Sequence, residues 1–92
     1  MNEDALQQFR VRIDAIDDQI VDLLSERFQV VSEVAEFKKQ KGLKIYHSGR
    51  EQDILKRVSG KGKKLGLNTL LLEALFMQIF SVSKREQRDK QV

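Results

Sequence analysis

The sequence predicts an all-α protein with three helices per chain, paired in an intertwined six-helix homodimer. Apolar residues recur at alternating spacings of three and four over residues 5–41, and no segment shows the apolar–polar alternation of a β-strand. The apolar stripe consists of Leu6, Phe9, Ile13, Ile16, Ile20, Leu23, Val30, Val34 and Phe37. A stripe of this kind is typical of a helix that buries one face against other helices.

The length of this first helix predicts the dimer. At about 1.5 Å per residue, a helix over residues 5–41 extends about 55 Å. A globule of 92 residues is only about 32 Å across. Because the stripe stays apolar from end to end, the overhanging half needs a cover, and an antiparallel second copy is the simplest one.

A second helix is predicted over residues 48–60. Gly42 ends the first helix, since glycine is common just after a helix C-terminus. Ser48 and Glu51, three residues apart, form a capping box that starts the second helix. We expect the stretch 59–68, rich in glycine and lysine, to end or fray it.

A third helix is predicted over residues 69–88, beginning near Asn68 or Thr69. Its apolar face comprises Leu72, Leu75, Phe76, Ile79 and Phe80. The same face continues into Ser83 and Gln87, two polar residues one turn apart. We expect residues 1–92 to form a single helical domain.

Composition excludes several classes of function. With no cysteine and one histidine, we expect neither a structural zinc site nor redox chemistry, and no cofactor. No apolar run approaches the roughly 20 residues of a membrane span, and no signal sequence is evident. The 17 basic residues are interspersed with 14 acidic ones, for a net charge of +3. We therefore expect a cytoplasmic protein with an anionic small-molecule partner, and neither a nucleic-acid nor a membrane partner.

Arg27 lies within the apolar stripe, at a core position of the first helix. Its neighbours three and four residues away carry no carboxylate: Leu23, Leu24, Val30 and Val31. A guanidinium removed from water without a partner costs several kcal/mol, so we expect either an anionic ligand or an ion pair with Glu51 from another helix. Lys38 lies within about 20° of the same helix face, roughly 16 Å further along the axis, and can flank the same ligand.

Two further arginines have local alternatives to ligand binding. Arg10 points about 100° away from Arg27 and lies about 25 Å along the axis. It either pairs with Asp14 or contributes to a site in the other subunit. Arg50, at the start of the second helix, can pair with Asp53.

The other candidates also have structural interpretations. Ser83 and Gln87 can mark the end of the buried stripe, and Glu51 can act only as a helix cap. Lys38 can extend its ammonium into solvent. His47 is most simply a solvated loop residue. The joint spacing of these groups, rather than any one of them, indicates a ligand site.

Taken together, these groups resemble the all-α chorismate mutase family over nearly the whole chain, from about Leu6 to Gln87. The segments that carry the resemblance are Phe9-Arg10-x-x-Ile13-x-x-Ile16-Asp17, Leu23-Leu24-x-Glu26-Arg27, Val34-Ala35-x-x-Lys38, Arg50-Glu51, and Ser83-x-x-x-Gln87 following Leu75-Phe76. Each segment is weak alone, but the set with its spacing intact is specific.

The resemblance implies a chorismate mutase, which converts chorismate to prephenate by a 3,3-sigmatropic Claisen shift in phenylalanine and tyrosine biosynthesis. This reaction transfers no proton and needs no nucleophile. It requires a folded substrate conformer and positive charge beside the ether oxygen, which gains negative charge as the C–O bond breaks. By resemblance, Lys38 and Gln87 hydrogen-bond the ether oxygen.

The resemblance also assigns the groups that bind the rest of the substrate. Arg27, together with Arg10 of the partner subunit, binds the two carboxylates. Glu51 binds the ring hydroxyl, and Ser83 and Arg50 support carboxylate binding.

The connection before the second helix departs from the family pattern. His47 stands where an aspartate is common, and Lys44 stands where a proline is common. In members of the family, a backbone N–H at this place contacts the ring hydroxyl of the substrate. The resemblance therefore assigns His47 to substrate binding even without the aspartate.

Two alternatives remain at the level of sequence. An isochorismate pyruvate lyase has the same fold and a similar cationic pocket. A non-catalytic helical interaction or nucleic-acid module would instead use the basic surface of Lys61, Lys63, Lys64, Lys84, Arg85, Arg88 and Lys90.

Overall fold

The computed structural model describes residues 2–45 and 48–91. Over these residues the chain forms three helices and no strand: α1 Asn2–Lys41, α2 Ser48–Lys64 and α3 Thr69–Gln91. The predicted all-helical class is confirmed, and the homodimer stays a prediction. The chain divides into two compact units, the first ending at Val30 and the second beginning at Val31. Within the described residues, no helix is both long enough and apolar enough to cross a membrane.

Helix α1 begins at Asn2, earlier than the predicted residue 5. Glu3 and Asp4 lie in its first turn, where carboxylates interact favourably with the positive end of the helix dipole. At the other end, Gly42 adopts a φ of 65°, and the N–H of Leu43 donates to the carbonyl of Lys38 at 2.8 Å. This is the glycine-terminated C-cap that the sequence predicts.

Helix α2 begins at Ser48 as predicted but runs to Lys64, past the predicted end at residue 60. The glycine that ends it is Gly66, which has a φ of 74°. The N–H of Leu67 donates to the carbonyl of Gly62 at 2.8 Å, closing the same kind of C-cap as in α1. The stretch 59–68 does end α2, as predicted, but the helix ends at Lys64, four residues later than the predicted residue 60.

Gly62 lies within α2, where the side chain of Leu72 on α3 packs against it. Gly62 is buried, and a Cβ added there would collide with the Cδ1 of Leu72. An alanine at this position would therefore require the Leu72 side chain to move.

Helix α3 begins where the sequence predicts and extends to Gln91, beyond the predicted residue 88. The side-chain oxygen of Asn68 accepts hydrogen bonds from the N–H groups of Leu70 at 2.9 Å and Leu71 at 3.3 Å. Asn68 is therefore the N-cap of α3 and satisfies two of the backbone donors that a helix start leaves without partners.

The buried apolar residues of the second unit lie on all three helices. These residues are Ala35, Ile54, Ile79 and Phe80. Helices α2 and α3 pack against each other, and the rings of Phe76 and Phe80 meet edge to face with centroids 6.1 Å apart. Two polar residues of α3, Ser83 and Gln87, are also buried here, so the α3 face remains buried where its apolar stripe ends.

The first unit consists of α1 residues 2–30 and exposes its apolar stripe. Leu6, Ile16 and Leu23 are 45%, 54% and 63% exposed. The guanidinium of Arg12 lies 6.0 Å from the ring centroid of Phe9, a cation–π contact at the edge of the stripe.

Candidate active site

Lys38 and Gln87 meet at the centre of the candidate site. Lys38 lies in the last turn of α1, and its Nζ donates to Oε1 of Gln87 at 3.1 Å. The same ammonium donates to the backbone carbonyl of Ile45, in the connection after α1, at 2.8 Å. An ammonium has three N–H donors, so these two contacts leave one donor for a ligand.

The Lys38 contact determines the orientation of the Gln87 side chain. An ammonium can only donate, so the amide atom that faces it is the oxygen. The amide N–H groups of Gln87 therefore point away from the ammonium. Because Gln87 is 8% exposed, the two residues together present a cation and an amide donor within a region largely shielded from water.

Ser83 lies one turn before Gln87 on the same face of α3. It is 7% exposed, and its Oγ donates to the carbonyl of Ile79 at 2.8 Å. This hydrogen bond to the preceding turn satisfies the buried hydroxyl proton and leaves the oxygen as an acceptor.

Glu51 forms an ion pair that the sequence analysis did not identify. Its Oε2 lies 3.4 Å from Nζ of Lys84, with side-chain exposures of 18% for Glu51 and 35% for Lys84. In the sequence Lys84 is assigned only to a basic surface. Its position between Ser83 and Gln87 is the one signal that could have placed it near the site.

The remaining predicted site residues lie elsewhere in the chain than the two contacts described above. Arg27 is half-buried and Arg10 is exposed, and both lie on α1 in the first unit. Arg50 is exposed in the first turn of α2. His47 lies outside the described residues. The second unit therefore brings together Lys38 with Gln87, and Glu51 with Lys84, while the parts of the predicted arrangement that involve Arg10, Arg27 and His47 stay predictions.

The chemistry of the Lys38–Gln87 pair is that of an anion-stabilising site. A positioned cation and amide N–H groups in a poorly solvated region stabilise an oxygen on which negative charge develops. The fold and this pair define the class: an all-α protein in which a lysine ammonium and a buried amide from two helices meet. The chain matches the chorismate mutase type II family over residues 9–88, and it belongs to that family, as the sequence resemblance predicts.

Several curated proteins are similar to this chain. The T-protein of Enterobacter agglomerans is 33% identical over 85 residues, which cover 92% of this chain and 23% of that protein. The T-protein of Haemophilus influenzae is 34% identical over 70 residues, covering 76% of this chain and 19% of that protein. The bifunctional chorismate mutase/prephenate dehydratase of Buchnera aphidicola is 36% identical over 83 residues, covering 90% of this chain and 22% of that protein.

The chain thus spans about a fifth to a quarter of the length of the curated relatives it matches. No solved structure matches it significantly.

Proposed function

We propose that this chain is a chorismate mutase that rearranges chorismate to prephenate, a step of phenylalanine and tyrosine biosynthesis. The observation that carries the proposal is the hydrogen bond between Lys38 and Gln87, the two residues that the family resemblance assigns to the ether oxygen. Membership of the chorismate mutase type II family supports the same reaction.

The proposed mechanism is electrostatic. As the C–O bond of chorismate breaks, charge develops on the ether oxygen, which accepts hydrogen bonds from the remaining Lys38 donor and from a Gln87 N–H. These donors are held in place before the reaction begins, Lys38 by the carbonyl of Ile45 and Gln87 by Lys38. No reorganisation is needed at the transition state, which is the source of the rate enhancement.

Binding the substrate in its reactive conformer requires the other predicted residues. In the proposal, Arg27 and Arg10 of the partner subunit bind the carboxylates, and Ser83 and Arg50 support this binding. Glu51 binds the ring hydroxyl, to which the loop at His47 also contributes. Holding both ends of the substrate removes the entropy cost of folding it before the bond forms.

The homodimer is part of the proposal because the first unit leaves its apolar stripe in water. Side chains from Leu6 to Leu23 are about half exposed or more in the single chain. A contiguous apolar surface of this kind marks an interaction site, and an antiparallel second copy would cover it with the same surface. A cytoplasmic location likewise stays a prediction.

The proposal is tested by following the loss of chorismate absorbance with purified protein and identifying the product. We expect wild-type protein to form prephenate with saturable kinetics. Lys38→Met removes the cation beside the ether oxygen, and we expect kcat to fall by about 10²–10³-fold, the effect of a lost oxyanion donor. Arg27→Ala should also abolish measurable conversion.

Lys39→Met is the matched control. Lys39 is the exposed neighbour of Lys38 on α1, so the substitution makes the same change of charge away from the site and should leave kcat unchanged. Circular dichroism verifies that each variant remains helical. Absence of prephenate with folded wild-type protein would contradict the proposal, and pyruvate release from isochorismate would then favour the lyase.

A further inference from the structure

The ion pair between Glu51 and Lys84 links two helices beside the proposed substrate site. Glu51 lies in the first turn of α2, and Lys84 lies on α3 directly after the buried Ser83. The contact joins Oε2 of Glu51 to Nζ of Lys84 at 3.4 Å. In the proposed function Glu51 binds the ring hydroxyl, and no role is assigned to Lys84.

A carboxylate that binds one substrate hydroxyl has to be held in one orientation. A glutamate side chain has three rotatable bonds, and a carboxylate near a helix N-terminus can also turn towards the backbone N–H groups of its own first turn. The ammonium of Lys84 engages one oxygen of Glu51 from α3. A contact from a second helix therefore opposes the local capping orientation of this side chain.

The backbone at Lys84 is fixed by buried residues of the same helix. Ser83 and Gln87 flank it on α3, and both are buried, so the backbone at residue 84 is anchored by the core. Arg85, the next residue, is exposed.

We propose that Lys84 is a positioning residue, which holds the Glu51 carboxylate in the orientation that receives the ring hydroxyl of the substrate. This inference rests on the proposed function. Lys84 acts through Glu51 and does not itself touch the substrate, so its contribution should vanish when Glu51 can no longer form the ion pair.

The experiment is a double-mutant cycle in steady-state kinetics with chorismate, using Lys84→Met, Glu51→Ala and the double variant. In the wild-type background, Lys84→Met should lower kcat/KM by about tenfold, the value of one hydrogen bond to a charged group. The loss should appear mainly as a higher KM, because the hydroxyl contact is made in both ground state and transition state. In the Glu51→Ala background, the same substitution should change kcat/KM by less than about twofold.

Two further variants distinguish positioning of Glu51 from the simple loss of a positive charge on α3. Lys84→Arg keeps a cation within reach of Glu51 and should recover kcat/KM to within about threefold of wild type. Arg85→Met removes one positive charge from the same turn of α3 and should change neither constant. Thermal unfolding of each variant checks that the fold is intact, and Lys84→Gln replaces Lys84→Met if the latter does not fold.

Failure of the positioning role can be distinguished from failure of the proposed function. Absence of chorismate turnover in the wild type overturns the proposed function, and this role with it. Turnover in the wild type that Lys84→Met leaves unchanged overturns the positioning role alone. A loss that persists undiminished in the Glu51→Ala background also overturns it, because Lys84 would then act without Glu51.

Discussion

Buried hydroxyl groups in this protein differ in whether they have a hydrogen-bond partner. The Oγ of Ser83 donates to the carbonyl of Ile79. The Oγ of Ser59, on α2, is buried and has no hydrogen-bond partner among the described residues. A buried hydroxyl without a partner loses its hydrogen bonds to water and gains none in the fold, so Ser59 destabilises the native state.

Replacing Ser59 by alanine should therefore stabilise the protein. We expect the free energy of unfolding to rise by about 1 kcal/mol, through removal of the unpaired hydroxyl and a gain in helix propensity. Urea unfolding followed by circular dichroism measures this difference. Ser81→Ala, at an exposed position of α3, is the control and should stay within about 0.5 kcal/mol of wild type. A lower stability for Ser59→Ala would show that the hydroxyl has a partner after all.

Sequence reasoning selected the two residues of one contact in the candidate site and missed the lysine of another, for a physical reason. Lys38 and Gln87 could be chosen together because their place in the pattern resembles a family in which both act on one oxygen, and in the structure the two side chains are in contact. Lys84 was not chosen, because its partner Glu51 lies on another helix and sequence spacing reports only neighbours on the same helix.

The helices show where local rules succeed and where tertiary packing overrides them. The start of α3 and the ends of α1 and α2 follow from cap residues, and the Gly42 C-cap and a start of α3 near Asn68 or Thr69 were both predicted. The end of α2 was predicted too early because Gly60 and Gly62 resemble helix breakers. The helix instead ends at the Gly66 C-cap, and Gly62 lies against Leu72 of α3, a contact between helices that no local rule contains.

The two glycines of α2 should respond in opposite ways to substitution by alanine. A Cβ at Gly60 would meet no atom within 4 Å, so Gly60→Ala should stabilise the protein by about 1 kcal/mol through helix propensity. A Cβ at Gly62 would overlap the side chain of Leu72, so Gly62→Ala should be neutral to destabilising, with overpacking of about 1–3 kcal/mol opposing the same gain.

Urea unfolding of the two variants gives the comparison, with each alanine serving as the control for the other. The double variant Gly62→Ala/Leu72→Ala tests the cause, because removing the leucine side chain should relieve the penalty at Gly62. Equal stabilisation by both single substitutions would show that the contact with Leu72 does not constrain this turn of α2.

For the molecule as a whole, the exposed stripe of α1 and the place of Arg10 lead to one prediction about assembly. If two copies share each site, Arg10→Ala and Lys38→Met should each be inactive alone yet complement each other when mixed. A heterodimer of the two variants has one site that contains both Lys38 and Arg10, the latter supplied by the other subunit.

The measurement is chorismate turnover after the two variants are unfolded together and refolded. At equal amounts, random pairing makes half of the dimers mixed, each with one intact site of two, so we expect about a quarter of wild-type activity. Each variant refolded alone is the control. Activity that does not rise on mixing would argue against a site shared between subunits.

The hydrogen bond from Lys38 to the carbonyl of Ile45 couples the proposed catalytic cation to the connection between α1 and α2. Loops between helices ordinarily tolerate insertions, because a longer loop costs little closure entropy. Here an added residue between Gly42 and Ile45 would move the carbonyl that holds the ammonium. A peptide or reporter is therefore better inserted in the turn between α2 and α3. This turn contains none of the residues proposed to bind substrate.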